Sequence, residues 1–153
     1  MQGFIVTGTD TGVGKSLVSA ALLLRLAARY GRVAGYKPIA AGCEVDGSNE
    51  DVQLLRQFSQ PALSAQQCCT YLLRSACAPH LAAQEEGIEL HPGALLQGAL
   101  DLAAQSDALV VEGAGGLLVP LSLHPHRDTA DVFVQLHQAL GLPVVLVVGM
   151  RLG

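Results

Sequence analysis

The chain has 153 residues, half of them hydrophobic and only 14% charged, with a formal net charge of −4. That length suits one domain spanning residues 1–153 with a sizeable buried core, and the apolar content excludes an intrinsically disordered chain. The acidic balance and the lack of a basic cluster argue against nucleic acid as the main partner, and the apolar runs are too short and too interrupted to predict a membrane span.

A core-like strand begins at the N-terminus, which leaves no room for a cleavable signal peptide. Cys43, Cys68, Cys69 and Cys77 lack the pair spacing of a zinc site, and the vicinal Cys68-Cys69 reads as two small core side chains. A reduced, cytoplasmic setting is expected.

Phe4-Ile5-Val6-Thr7 reads as a strand that runs into Gly8-Thr9-Asp10-Thr11-Gly12-Val13-Gly14-Lys15-Ser16, and an apolar helical pattern follows at once. Strand, glycine-rich turn and helix in that order give a phosphate loop its physical meaning. Successive backbone N–H groups, backed by the positive end of the helix, form a concave anion site. Lys15 would reach the β- and γ-phosphates of a nucleoside triphosphate, and the Ser16 hydroxyl would take one position on Mg²⁺. Five residues, rather than the usual four, separate Gly8 from Gly14.

Residues 15–30 leave little polar face, which predicts a helix buried against a sheet and ended by Gly31. Residues 33–38 read as a second strand stopped by Pro38, followed by a polar loop over 40–50 and a helix over 51–58. The stretch from Ser59 to Gly87 has no clear pattern beyond a helix opened by Pro79; a further helix starts at Pro92 and runs through Ala104. Ala108-Leu109-Val110-Val111 is an apolar run of buried parallel-strand type that ends in Glu112-Gly113-Ala114-Gly115-Gly116. Residues 117–121 read as a short extended piece, 129–140 as a helix closed by Gly141 and Pro143, and 144–148 as a last buried strand.

This alternation predicts an α/β fold with a mostly parallel sheet in three layers, of the phosphate-loop NTPase type. Ligands in such sheets bind beyond the carboxyl ends of the strands, where the phosphate loop, Lys37 and Glu112 all fall. Glu112 is placed to hold Mg²⁺, and Asp51, opening the helix after the Lys37 loop, is the second acidic candidate. The last strand ends five residues before the terminus with no helix to cover it, so a C-terminally truncated chain is expected.

The phosphate loop, Tyr36-Lys37-Pro38-Ile39-Ala40-Ala41-Gly42, Val111-Glu112-Gly113-Ala114-Gly115-Gly116 and the segment from Pro143 to Gly149 together resemble the ATP-dependent dethiobiotin synthetases, in that family's order and approximate spacing. The resemblance implies a ligase of biotin synthesis that closes the ureido ring of 7,8-diaminononanoate with CO₂ through a carbamic–phosphoric anhydride, releasing ADP and phosphate. It implies Lys37 and Lys15 as catalytic residues. Gly12, Val13, Gly14, Lys15, Ser16, Leu17, Asp51, Glu112, Gly113, Ala114 and Gly115 would bind ATP. Thr11, Lys37 and Ala41 would meet substrate, and Ser16, Asp51 and Glu112 would hold Mg²⁺. Family members often carry an acidic residue where Gly12 stands and a serine where Ala41 stands. They are homodimers, and their base-recognition element lies in a later segment.

Other classes share the phosphate loop. An amidoligase of cobyrinate type should bring a glutaminase domain, of which these residues show nothing. A ParA- or MinD-like switch ATPase carries an additional lysine early in the loop, where this chain has Thr9 and Asp10. An inactive, truncated nucleotide-binding remnant is the third alternative.

Overall fold

The computed structural model describes residues 1–150. Its centre is a four-stranded, wholly parallel sheet in the order β2-β5-β1-β8, made of β1 (Gln2–Gly8), β2 (Val33–Tyr36), β5 (Ala108–Glu112) and β8 (Val144–Val147). Alternate residues of these strands enter opposite cores, as the pleat requires. Ile5, Leu109 and Val111 pack with α4 (Pro79–Glu85), α5 (Pro92–Gln105) and α6 (Thr129–Leu140) on one face. Val6, Ala108 and Val110 pack with α1 (Lys15–Ala27), α2 (Glu50–Phe58) and α3 (Ala65–Cys68) on the other. The result is the three-layer α/β arrangement expected from the alternation of elements.

The register sets the position of the site. Val6 lies opposite Glu112 and Tyr36 opposite Val111, so Glu112 and Lys37 emerge side by side at the carboxyl edge, two residues below the end of β1. Two smaller pairings flank that edge: β3 (Ile39–Ala41) runs parallel to β4 (Tyr71–Leu73), and β6 (Pro120–Leu123) forms an antiparallel hairpin with β7 (His126–Asp128). The first pairing corrects the reading of residues 40–50 as a plain loop, and the hairpin adds two strands where only a short extended piece over 117–121 was expected. Three-residue strands are too short to display a period of two.

Two other expectations change. The first helix ends at Ala27 rather than Tyr30: Tyr30 N donates to Leu26 O, closing the last turn, and Arg32 and Asp107 then exchange backbone and side-chain hydrogen bonds at the start of β2. That helix is also not buried all round, for Leu17 and Leu24 are 73% and 59% exposed. Only the side bearing Ser19, Ala20 and Leu23 meets the sheet. Likewise the last strand is a half-exposed edge: among the described residues it pairs with β1 alone, and Val144, Leu146 and Val148 stand open. Cys68 and Cys69 are buried, with burial pushing their thiols up to about 12. Among the described residues no helix is long and apolar enough to cross a membrane.

Candidate nucleotide-phosphate site

The loop between β1 and α1 is shaped by backbone. Gly12 and Gly14 take φ of 72° and 100°, in the left-handed region that side chains avoid. Gly14 is the N-cap of α1 and supplies no side-chain cap, so the first N–H groups of the helix are left to an outside anion. Thr11 N donates to Asp10 Oδ1 at 2.7 Å, and Gly149 N donates to Thr9 Oγ1 at 3.0 Å, tying the loop to the end of β8. Lys15 is buried, and its Nζ donates to Asp10 O at 2.7 Å, folded back over the loop.

Beneath the loop lies a charged floor assembled from distant segments. Lys37 Nζ is 2.5 Å from Asp51 Oδ2 and 2.6 Å from Glu112 Oε1. Ser16 Oγ lies 2.5 Å from Asp51 Oδ1 and 2.9 Å from Glu112 Oε1. Each member has its own support. Lys37 N donates to Cys68 O, and Asp51 stands in the first turn of α2, where the Asn49 side chain accepts from Val52 N. Glu112 has no exposed surface, and its Oε2 finds no hydrogen-bond partner among the described residues.

The two lysines are tuned in opposite directions. Burial works against the charge of Lys37, but the Glu112 and Asp51 carboxylates outweigh it and hold the ammonium above the ordinary lysine value. For Lys15, burial reinforced by the nearby Lys37 charge pulls the pKa below that value, against the attraction of Glu112, Asp51 and Asp10. Burial would raise Asp51; the charge of Lys37, with hydrogen bonds from Lys37 and Ser16, overrides it and keeps the carboxyl below its usual range. Lys37 is thus firmly charged in place, whereas Lys15 is a cation awaiting an anion.

Two cavities meet at this floor. One, of about 320 Å³, is lined by Gly12, Gly14, Lys15, Ser16 and Leu17. The other, of about 510 Å³, is walled by Asp10, Ala41, Ala76–Pro79, Ala114 and Leu118–Pro120. Thr11, Lys37, Asp51 and Gly115 line both. Two expected residues stand apart. Val13 packs where a Cβ on Gly8 or Gly149 would collide with it, and Gly113 is buried beside Phe133, its N–H bonded to Val6 O. Asp10 and the stretch 76–79 were not expected at the site from sequence. Asp10 was visible within the loop, Cys77 and Pro79 were read only as a cysteine without zinc-like spacing and a helix opener, and Ala76 and Ala78 carry no chemical signature.

The floor fits a hard divalent cation. Its donors are all oxygen, a hydroxyl and two carboxylates, and one buried Glu112 oxygen is unpaired among the described residues. Among the described residues no group of three or more His, Cys, Asp or Glu side chains converges. A cation held here would complete its shell with phosphate oxygens and water, as Mg²⁺ favours.

A family model described as an AAA domain matches residues 2–153. The ATP-dependent dethiobiotin synthetase BioD of Nitrosospira multiformis is 49% identical over 152 residues, which take in 99% of this chain and 64% of that protein. The protein of the same name from Ralstonia nicotianae is 47% identical over 151 residues, 97% of this chain and 63% of that protein. Its counterpart from Aromatoleum aromaticum is 46% identical over 156 residues, 99% and 66% respectively. The chain therefore spans a little under two thirds of the length of these relatives. Matched by the family model along nearly its whole length, the chain belongs to the AAA domain family, and its likeness to dethiobiotin synthetases extends over 97–99% of its residues.

Proposed function

We propose that this chain acts as an ATP-dependent dethiobiotin synthetase, closing the ureido ring of 7,8-diaminononanoate with CO₂ and releasing ADP and phosphate. The observation that carries the reading is the position of Lys37, on the boundary between a cavity walled by the phosphate loop and a second one of about 510 Å³. A reaction joining a nucleotide γ-phosphate to a carbamate needs such a shared wall.

In this reading the phosphate loop and Lys15 hold the nucleotide phosphates, with Lys15 leaving Asp10 O for the phosphate oxygens. Mg²⁺, held by Ser16, Asp51 and Glu112, would neutralise charge on the transferring phosphoryl group. One substrate amine adds to CO₂ and loses a proton, giving a carbamate. A carbamate oxygen then attacks the γ-phosphorus and ADP departs. The second amine attacks the carbonyl carbon of the mixed anhydride, loses a proton and expels phosphate. The Lys37 ammonium faces the carbamate and the incoming phosphoryl oxygens, where its fixed charge offsets the developing one. Thr11 and Ala41 border the carbamate end of the substrate, and the apolar wall at Leu118–Pro120 suits an aliphatic chain. A homodimer in the cytoplasm belongs to the same proposal.

The test is turnover by the purified chain with diaminononanoate, bicarbonate and Mg-ATP. Diamine-dependent ADP release, with dethiobiotin identified by mass, is the expected outcome. Hydrolysis indifferent to the diamine would instead favour a switch ATPase. A folded chain that binds Mg-ATP and makes no dethiobiotin would contradict the assignment for this chain.

A further inference from the structure

The Lys37 ammonium sits between the two carboxylates of the floor. Lys37 Nζ sits within hydrogen-bonding distance of Asp51 Oδ2 and Glu112 Oε1, the same pair that, with Ser16 Oγ, offers oxygen donors to a metal. The Ser16 hydroxyl has one proton and two carboxylate acceptors in reach, so the four groups are drawn together chiefly by the positive charge in their midst. Octahedral Mg²⁺ takes its ligands at about 2.0–2.1 Å and repels a neighbouring ammonium, so the two cations are poor co-occupants of one carboxylate pair.

We propose that Lys37 is a placeholder for the divalent cation: the two compete for Asp51 and Glu112, and arrival of the metal with the nucleotide releases the Lys37 amine into the larger cavity. Three observations support an exchange confined to the side chain. The Lys37 backbone is pinned through its N–H to Cys68 O and followed by Pro38, so the strand end stays where it is. Lys37 already lines both cavities, so a turn about its side-chain bonds carries the ammonium from one to the other. Glu112 is fully buried, with one oxygen unpartnered among the described residues, so its charge needs a cation in either state, Lys37 before and the metal after. The device keeps the site folded without metal and withholds the amine from the substrate cavity until the metal–nucleotide complex is seated.

The inference rests on the proposed metal role of Ser16, Asp51 and Glu112, and the experiment separates the two. Mn²⁺ affinity of the nucleotide-free 153-residue chain is measured by electron paramagnetic resonance for wild type, Lys37→Met, Lys37→Arg and Glu112→Gln. In parallel, wild-type Lys37 is probed by amine acylation and mass spectrometry with a non-hydrolysable ATP analogue, with Mg²⁺ or with EDTA. This second readout needs no variant to fold. The expected results are Mn²⁺ binding at least tenfold tighter in Lys37→Met than in wild type, binding as weak as wild type in Lys37→Arg, and Lys37 acylation enhanced severalfold only when Mg²⁺ accompanies the nucleotide. Equal Mn²⁺ affinity in wild type and Lys37→Met, or acylation indifferent to Mg²⁺, overturns the exchange. Affinity in Glu112→Gln equal to that of wild type overturns the metal assignment itself.

Discussion

The phosphate loop and the floor beneath it solve the same problem, holding charge near a strand end, by opposite means. The loop is local, largely exposed and built from backbone: nine consecutive residues, two left-handed glycines and an uncapped helix terminus. The floor is centred on the buried Lys37 and Glu112 and built from side chains brought together across separations of 14 to 96 residues, Lys37 with Asp51 and Ser16 with Glu112 marking the extremes. An open site made of backbone donors is preformed for an anion and carries little of the stability of the fold. A buried site made of paired charges is part of the fold, so function and stability cannot be separated there.

The sharpest way to break this contrast is to remove one charge from the floor. Lys37→Ala leaves the fully buried Glu112 without its cation and is expected to destabilise the chain by about 3–5 kcal/mol, read from urea denaturation. A change below about 1 kcal/mol would show that the floor is not structural. Lys15→Met, which keeps the buried stem, should do the reverse. It is expected to lower kcat/KM on the order of 100-fold, with stability little changed. Gly14→Ala meets no neighbour within 4 Å, so its effect is backbone strain alone, about 1–2 kcal/mol with weakened nucleotide binding.

The smallest effect concerns pH. Because the folded pKa of Asp51 is depressed, its contribution to stability is present above its unfolded pKa and is lost as pH falls through the folded one. Asp51→Asn should therefore flatten the acid limb of the stability curve below about pH 4. Partial exposure of Asp51 limits that effect to about 1 kcal/mol or less.

The same contrast explains what the sequence could reveal. The loop is a contiguous motif between a strand and a helix, and it reads directly. Lys37 and Glu112 were accessible one step further on, as charged residues closing apolar strands; their contact follows from the β2-β5 register, which no local pattern carries. The pairing of β3 with β4 and the β6-β7 hairpin were missed because strands of three or four residues leave no periodicity to detect. Leu17, Leu24 and the outer face of β8 misled in the other direction: apolar composition predicted burial, but a folded surface also carries apolar side chains, and these are exposed among the described residues. The small residues at 76–78 shape the larger cavity by being small, a property that only their position makes visible.

The most direct test of the account follows the oxygen atoms. With freshly prepared C¹⁸O₂ as the carbon source, used before its label exchanges with water, the carbamate carries ¹⁸O into its attack on the γ-phosphorus. Ring closure then expels phosphate bearing that atom. The account predicts ¹⁸O in the released phosphate and labelled carbonyl oxygen in dethiobiotin. Phosphate whose new oxygen derives from water would mean that ATP is hydrolysed without carbamate activation, and would contradict the assignment.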